Sequence, residues 1–161
     1  MKLSKWDLNL RVRLIGESIN NILFWMIFPF MTLYFIEKFG EQLTGTLMMI
    51  PPILGVFANL IGGYTADRFG RKRMMIIALG VQGLGLFLFA FSSSPWFDYI
   101  IFNSITMMGS IYHPASMAMV ADLVPVEERR PIFAAFYTAI NLGVVVGPII
   151  GSIFSSNIVK K

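Results

Sequence analysis

The chain has 161 residues, 56% hydrophobic and 14% charged, with a mean hydropathy of +0.70. A soluble domain carries about a quarter charged residues, so this chain has too few charges to cover its apolar surface in water. It has no cysteine and one histidine, which excludes disulfides, zinc–thiolate sites and a histidine-built metal centre. The net charge of +4 invites a nucleic-acid reading, but the placement of the cations opposes it.

The basic segment Met1–Arg13 leads into an apolar stretch that is too long for a signal peptide and has no small-residue cleavage site near its end. It reads as a retained helix over residues 14–36. Glu17, Asn20 and Asn21 cluster there, with Trp25 near the same face. Polar groups inside a membrane are costly and turn toward a cavity or a partner helix. Glu17 also stands four residues from Arg13, the spacing of an interfacial ion pair.

After Glu37–Glu41 comes a second apolar helix, residues 42–66, and then the segment from Gly63 to Arg73. Gly63 suits close helix approach. Gly70 suits a turn at positive φ. Asp67 falls near a helix C-terminus, where the macrodipole disfavours an anion, so it calls for a partner, either a nearby arginine or the N-terminus of another helix. Arg68, Arg71 and Lys72 are near.

The third helix, residues 74–94, contains Gly80, Gly83 and Gly85. They lie inside an apolar helix rather than after a strand, so they are no phosphate loop. Ser92–Asp98 leads to a fourth helix, residues 97–121, where Asn103, Thr106, Ser110 and His113 recur at steps of three and four on one face. His113 beside Pro114 fits either a group titrating near neutrality or a packed side chain. Asp122–Arg130 leads to a fifth helix, residues 131–156. There Gly143, Gly147 and Gly151 line one face and Pro148 removes a hydrogen bond.

The charge-free stretches 18–36, 42–66, 74–97, 99–121 and 131–159 are each 19 residues or longer. About 20 apolar residues cross a ~30 Å hydrocarbon layer as a helix, and the runs are too long for barrel strands. The expected fold is all-α: a single transmembrane domain over residues 1–161 with about five crossings. Lys2, Lys5, Arg11, Arg13, Arg68, Arg71, Lys72, Arg73, Arg129 and Arg130 fall on one side, against Lys38, Lys160 and Lys161 on the other. The positive-inside rule then makes the N-terminus cytoplasmic. The basic balance is topological and calls for no nucleic-acid partner.

The segment G-Y-T-A-D-R-F-G-R-K, residues 63–72, resembles the loop between helices 2 and 3 of the major facilitator superfamily, G-x-x-x-D-R-x-G-R-K, at every defined position. The resemblance implies a conformational latch in which Asp67 and Arg71 help hold the outward-facing arrangement and Asp122 partners Arg71. Residues 143–152 resemble the fifth-helix motif of that superfamily's proton-coupled drug exporters, G-x8-G-x3-G-P-x2-G-G. Gly143, Gly147, Pro148 and Gly151 match; Ala134 and Ser152 replace the outer glycines. The R-x-x-Q-G of the fourth helix is missing: aligned on Gly109, its positions hold Ile105 and Met108.

The resemblance implies a multi-pass plasma-membrane transporter exchanging a small lipophilic compound for protons, with no cofactor and no enzymatic activity. The first and fourth helices would line the substrate cavity, making Glu17, Asn20, Asn21, Trp25, Asn103, Thr106, Ser110 and His113 its candidates. Five helices make part of one six-helix half, and alternating access needs two halves. The expectation is therefore a truncated N-terminal part, inactive alone. The alternative is a non-transporting membrane protein that associates through its small-residue helix faces.

Overall fold

The computed structural model describes residues 8–159. Lys2, Lys5, Lys160 and Lys161, counted above, lie outside the described residues. Six helices follow one another: α1 (Leu8–Phe39), α2 (Glu41–Leu47), α3 (Ile50–Phe69), α4 (Arg71–Phe91), α5 (Pro95–Leu123) and α6 (Val126–Val159).

Several helix boundaries differ from the sequence reading, α4 and α5 each beginning two or three residues earlier than expected. The helix expected over 42–66 is broken at Met48–Met49 into α2 and α3. Pro51 and Pro52 have no N–H, so a continuous helix would strand two carbonyls of the preceding turn. At the start of α3 the same prolines cost nothing. The helix expected over 131–156 begins earlier, at Val126, because Glu127 and Glu128 suit a first turn. α1 also begins earlier, at Leu8. Between α3 and α4 one residue, Gly70, makes the turn at φ 95°. Its N–H closes on Ala66 O at 3.0 Å and its carbonyl accepts from Met74 at 3.2 Å.

Four stretches are long and apolar enough to cross a membrane: Leu10–Phe39, Glu41–Phe69, Arg71–Phe91 and Val126–Ile153. α5 has the length, 29 residues, but not the apolarity. Asp98, Asn103, Ser104, Thr106, Ser110, His113 and Ser116 dilute it.

The described residues fall into two compact units, one formed by residues 8–34 with 123–159 and one by Phe35–Asp122. In the first, α1 and α6 run parallel with their backbones in close contact. A Cβ added at Gly143 would lie 2.9 Å from Asn21 Cβ; at Gly147, 2.7 Å from Trp25 Cβ; at Gly151, 2.5 Å from Met26 O. Leu10, Ile132 and Phe136 are buried in the same unit.

In the second unit α3 presents Gly55, Ala58, Gly62 and Ala66 along one face, and α4 presents Ala78, Gln82 and Gly85. α5 packs against both. A Cβ at Gly62 would lie 2.9 Å from the Ile111 backbone, and one at Gly85 2.9 Å from Ile105 Cγ1. Phe35, fully buried, meets Tyr99 and Phe102 edge-on at 5.7 and 5.8 Å. Tyr99 Oη donates to Leu47 O at 2.7 Å, which fastens the end of α2 to α5. Opposite faces of α3 and α4 carry exposed Leu60, Ile61, Ile76, Leu84 and Phe87. In lipid such side chains need no cover, and close packing of small residues holds the helices together instead.

Candidate functional site: a carboxylate–guanidinium cluster and two polar stripes

The loop signature gathers its charges around Arg71, the first residue of α4. Arg71 Nη1 donates to Asp122 Oδ2 and, at 3.0 Å, to Ala118 O. Arg71 Nη2 donates to Asp67 Oδ1 at 3.3 Å. Asp67 ends α3 and Asp122 ends α5, so both carboxylates stand where a helix dipole is negative. One guanidinium compensates both, and its fork shape lets it serve three acceptors from two helices. Arg71 is half-buried while Asp67 and Asp122 are largely exposed, with side-chain exposures of 70% and 63%. Solvent screening therefore keeps each pair weak, contributing at most about 1 kcal/mol.

Other members of the signature are placed differently. Arg68 reaches back to Tyr64 Oη at 3.4 Å, and Lys72 is exposed. A Cβ at Gly63 would meet nothing within 4 Å. Close approach falls instead at Gly62, because neighbouring helix residues point about 100° apart and only one of the two can face α5. Gly63 is thus not a packing glycine among the described residues.

Gly143, Gly147 and Gly151 are covered by α1. The face that could have held a separate partner is filled from within the chain. Pro148 is half-buried beside it, and its ring leaves the Val144 carbonyl without its helical N–H.

The expected cavity residues lie in both units and are described within each. On α1, Glu17 is buried at 3% exposure, and Asn21 Nδ2 donates to Glu17 O at 3.0 Å and to Glu17 Oε1 at 3.4 Å. Asn20 is half-buried. Trp25 packs edge-on against Phe24 and Phe28. Asn21 and Trp25 both turn their Cβ atoms to α6. On α5, Asn103 Nδ2 donates to Tyr99 O at 2.8 Å, Thr106 Oγ1 to Phe102 O at 2.9 Å and Ser110 Oγ to Thr106 O at 3.2 Å. Each closes on its own helix four residues back, and the Ser110 hydroxyl lies over Gly55 of α3. His113 is half-buried. Thr106 and Ser110 thus spend their hydroxyl donors on their own helix and keep oxygen lone pairs, while the Asn103 side-chain oxygen is buried.

Sequence reading missed three polar groups. Gln82 is buried in α4, and its Nε2 donates to Ile105 O at 3.2 Å while standing 3.2 Å from where a Cβ on Gly109 would be. Gly109 makes room for that amide. The available signal was a lone glutamine inside an apolar helix. Thr44 and Asp98 are also buried, and neither stood out near the starts of the helices expected over 42–66 and 97–121. Among the described residues no group of histidine, cysteine and carboxylate side chains is placed to hold a metal ion.

Long apolar helices joined by short turns, with an ion-paired turn between α3 and α4, define a polytopic membrane-protein scaffold. The chain belongs to the Major Facilitator Superfamily, whose model matches residues 14–159. It is 48% identical over 158 residues to a Na(+), Li(+), K(+)/H(+) antiporter of Planococcus maritimus, covering 95% of this chain and 37% of the relative. An uncharacterized MFS-type transporter of Bacillus subtilis (strain 168), YqjV, is 30% identical over 89% of this chain and 36% of its own length. The multidrug resistance protein MdtH of Photorhabdus laumondii is 28% identical over 80% of this chain and 33% of its own length. The chain thus spans about a third of the length of the curated relatives it matches. The first two of these relatives are named as an antiporter and a transporter, in line with the expectation of a transporter rather than an enzyme.

Proposed function

We propose that this chain forms the first part of a proton-coupled antiporter of the plasma membrane, exchanging a monovalent alkali cation for protons. The observation that carries the reading is the 48% identity to the Na(+), Li(+), K(+)/H(+) antiporter. The α5 stripe supports it, because its Thr106 and Ser110 hydroxyls keep oxygen lone pairs and hard cations take oxygen ligands. In this reading the N-terminus is cytoplasmic. The Arg71–Asp67–Asp122 cluster acts as the inner latch, opening and closing as α4 and α5 shift. Glu17, Asn20, Asn21, Trp25, Asn103, Thr106, Ser110 and His113 border the transport path.

Efflux of small lipophilic compounds is the second reading, favoured by the similarity to MdtH. The usual fourth-helix arginine is replaced by Ile105, which removes one route of proton coupling in drug exporters and favours the cation reading.

Alternating access needs a second half, so the 161-residue chain alone is expected to exchange nothing. The test is a chimera in which this chain replaces the matching segment of the Planococcus maritimus antiporter. In everted vesicles, with the chimera quantified by immunoblot, added Na+ or K+ should collapse a preformed pH gradient. A chimera that is present in the membrane but collapses the gradient only with lipophilic cations would replace the first reading by the second. Cation exchange by the 161-residue chain alone would overturn the need for a second half.

A further inference from the structure

We propose that the turn between α3 and α4 binds an anionic phospholipid, with the lipid phosphate held by Arg68, Lys72 and Arg73. The inference is independent of what the protein transports. Four cations stand in this turn, and Arg71 is taken by Asp67 and Asp122. Arg68, Lys72 and Arg73 are exposed, and none forms an ion pair among the described residues.

Arg68 is nonetheless held in place. It donates to Tyr64 Oη at 3.4 Å, and its guanidinium carbon lies 5.6 Å from the centroid of the Phe69 ring. These contacts orient the side chain without neutralising it. Lys72 and Arg73 do nothing for α4 itself: cations in a first turn oppose the helix dipole, and that turn contains no acidic residue. Three uncompensated cations within six residues repel one another, and an external anion relieves the repulsion.

The surroundings select a lipid over a free anion. Tyr64 and Phe69 are exposed aromatic residues beside the cations, as is usual at a membrane boundary. Within about two turns lie exposed Leu60 and Ile61 on α3 and exposed Ile76 and Ile77 on α4. A phosphodiester that carries acyl chains satisfies the cations and covers these side chains. Inorganic phosphate would satisfy only the cations.

The experiment is electron paramagnetic resonance of spin-labelled phosphatidylglycerol and phosphatidylcholine with the 161-residue chain reconstituted in phosphatidylcholine vesicles. The chain should prefer phosphatidylglycerol by about threefold or more. Arg68→Gln/Lys72→Gln/Arg73→Gln should bring the preference to unity with helicity unchanged by circular dichroism. Arg68→Gln alone should lower it, whereas Arg130→Gln, which removes the same charge from an exposed site elsewhere, should not. No preference in the unmodified chain, a preference surviving the triple change, or an equal loss with Arg130→Gln would overturn the proposal. So would displacement of the lipid by inorganic phosphate beyond that by chloride at equal ionic strength, which would assign the cations to a free anion.

Discussion

Arg71 stands at the positive end of its own helix and serves the negative ends of two others. Its position is unfavourable for α4 and favourable for α3 and α5, so its contribution to folding is small and its contribution to how those helices meet is larger. We expect Arg71→Gln to change stability by no more than about 1 kcal/mol, read as the midpoint of helicity loss in an SDS titration. The same change should slow cation exchange severalfold in the chimera. A stability loss of several kcal/mol would make Arg71 a structural anchor rather than a latch. The glycines give a sharper contrast. Gly147→Ala would drive a methyl into Trp25 and the α1 backbone, 2.7–2.9 Å away, at a cost of about 1–3 kcal/mol. Gly80→Ala meets nothing within 4 Å and should stabilise by up to about 1 kcal/mol through helix propensity. The two variants, compared in the same titration, should shift the midpoint in opposite directions.

At the level of elements, α5 is the helix whose character the others depend on. It is the long helix too polar for a simple hydropathy criterion, and it receives small-residue faces from α3 and α4. Gln82→Leu removes the amide that ties α4 to the Ile105 carbonyl. Hydrogen bonds between helices in membranes contribute about 0.6 kcal/mol on average, and we expect a loss of about that size by SDS titration. Pro148→Ala supplies the N–H that the Val144 carbonyl lacks. Amide hydrogen exchange over residues 145–152 should then slow; an unchanged rate would mean that α6 is already rigid there through its contact with α1.

For the molecule as a whole, the charge asymmetry makes a directional claim that the absence of cysteine renders easy to test. Lys72→Cys and Ser93→Cys place single thiols at opposite ends of α4, one in its first turn and one just past its last residue. A membrane-impermeant maleimide applied to intact cells should label Ser93→Cys and spare Lys72→Cys until the membrane is opened. The reverse pattern would invert the orientation and detach the latch from the inner face.

The sequence alone determined that the chain is helical and membrane-embedded, because hydrocarbon leaves a backbone no partner but itself and the runs of apolar residues have the length to cross it. It also pointed to the family the chain belongs to, through a loop that matches the superfamily's signature at every defined position. It showed that Asp67 needed a partner, from the dipole at the end of its helix, and the packed structure chose Arg71. It did not show which of two adjacent glycines packs, nor that the stripe of Gly143, Gly147 and Gly151 is filled by α1. Those outcomes depend on the rotation of one helix about its axis relative to another, and composition and spacing leave that angle free. The burial of Gln82, Thr44 and Asp98, and the inward closing of the α5 hydroxyls, were decided in the same way. A polar side chain in a membrane helix has its own backbone or a neighbouring helix as partner, and only the packed arrangement selects between them.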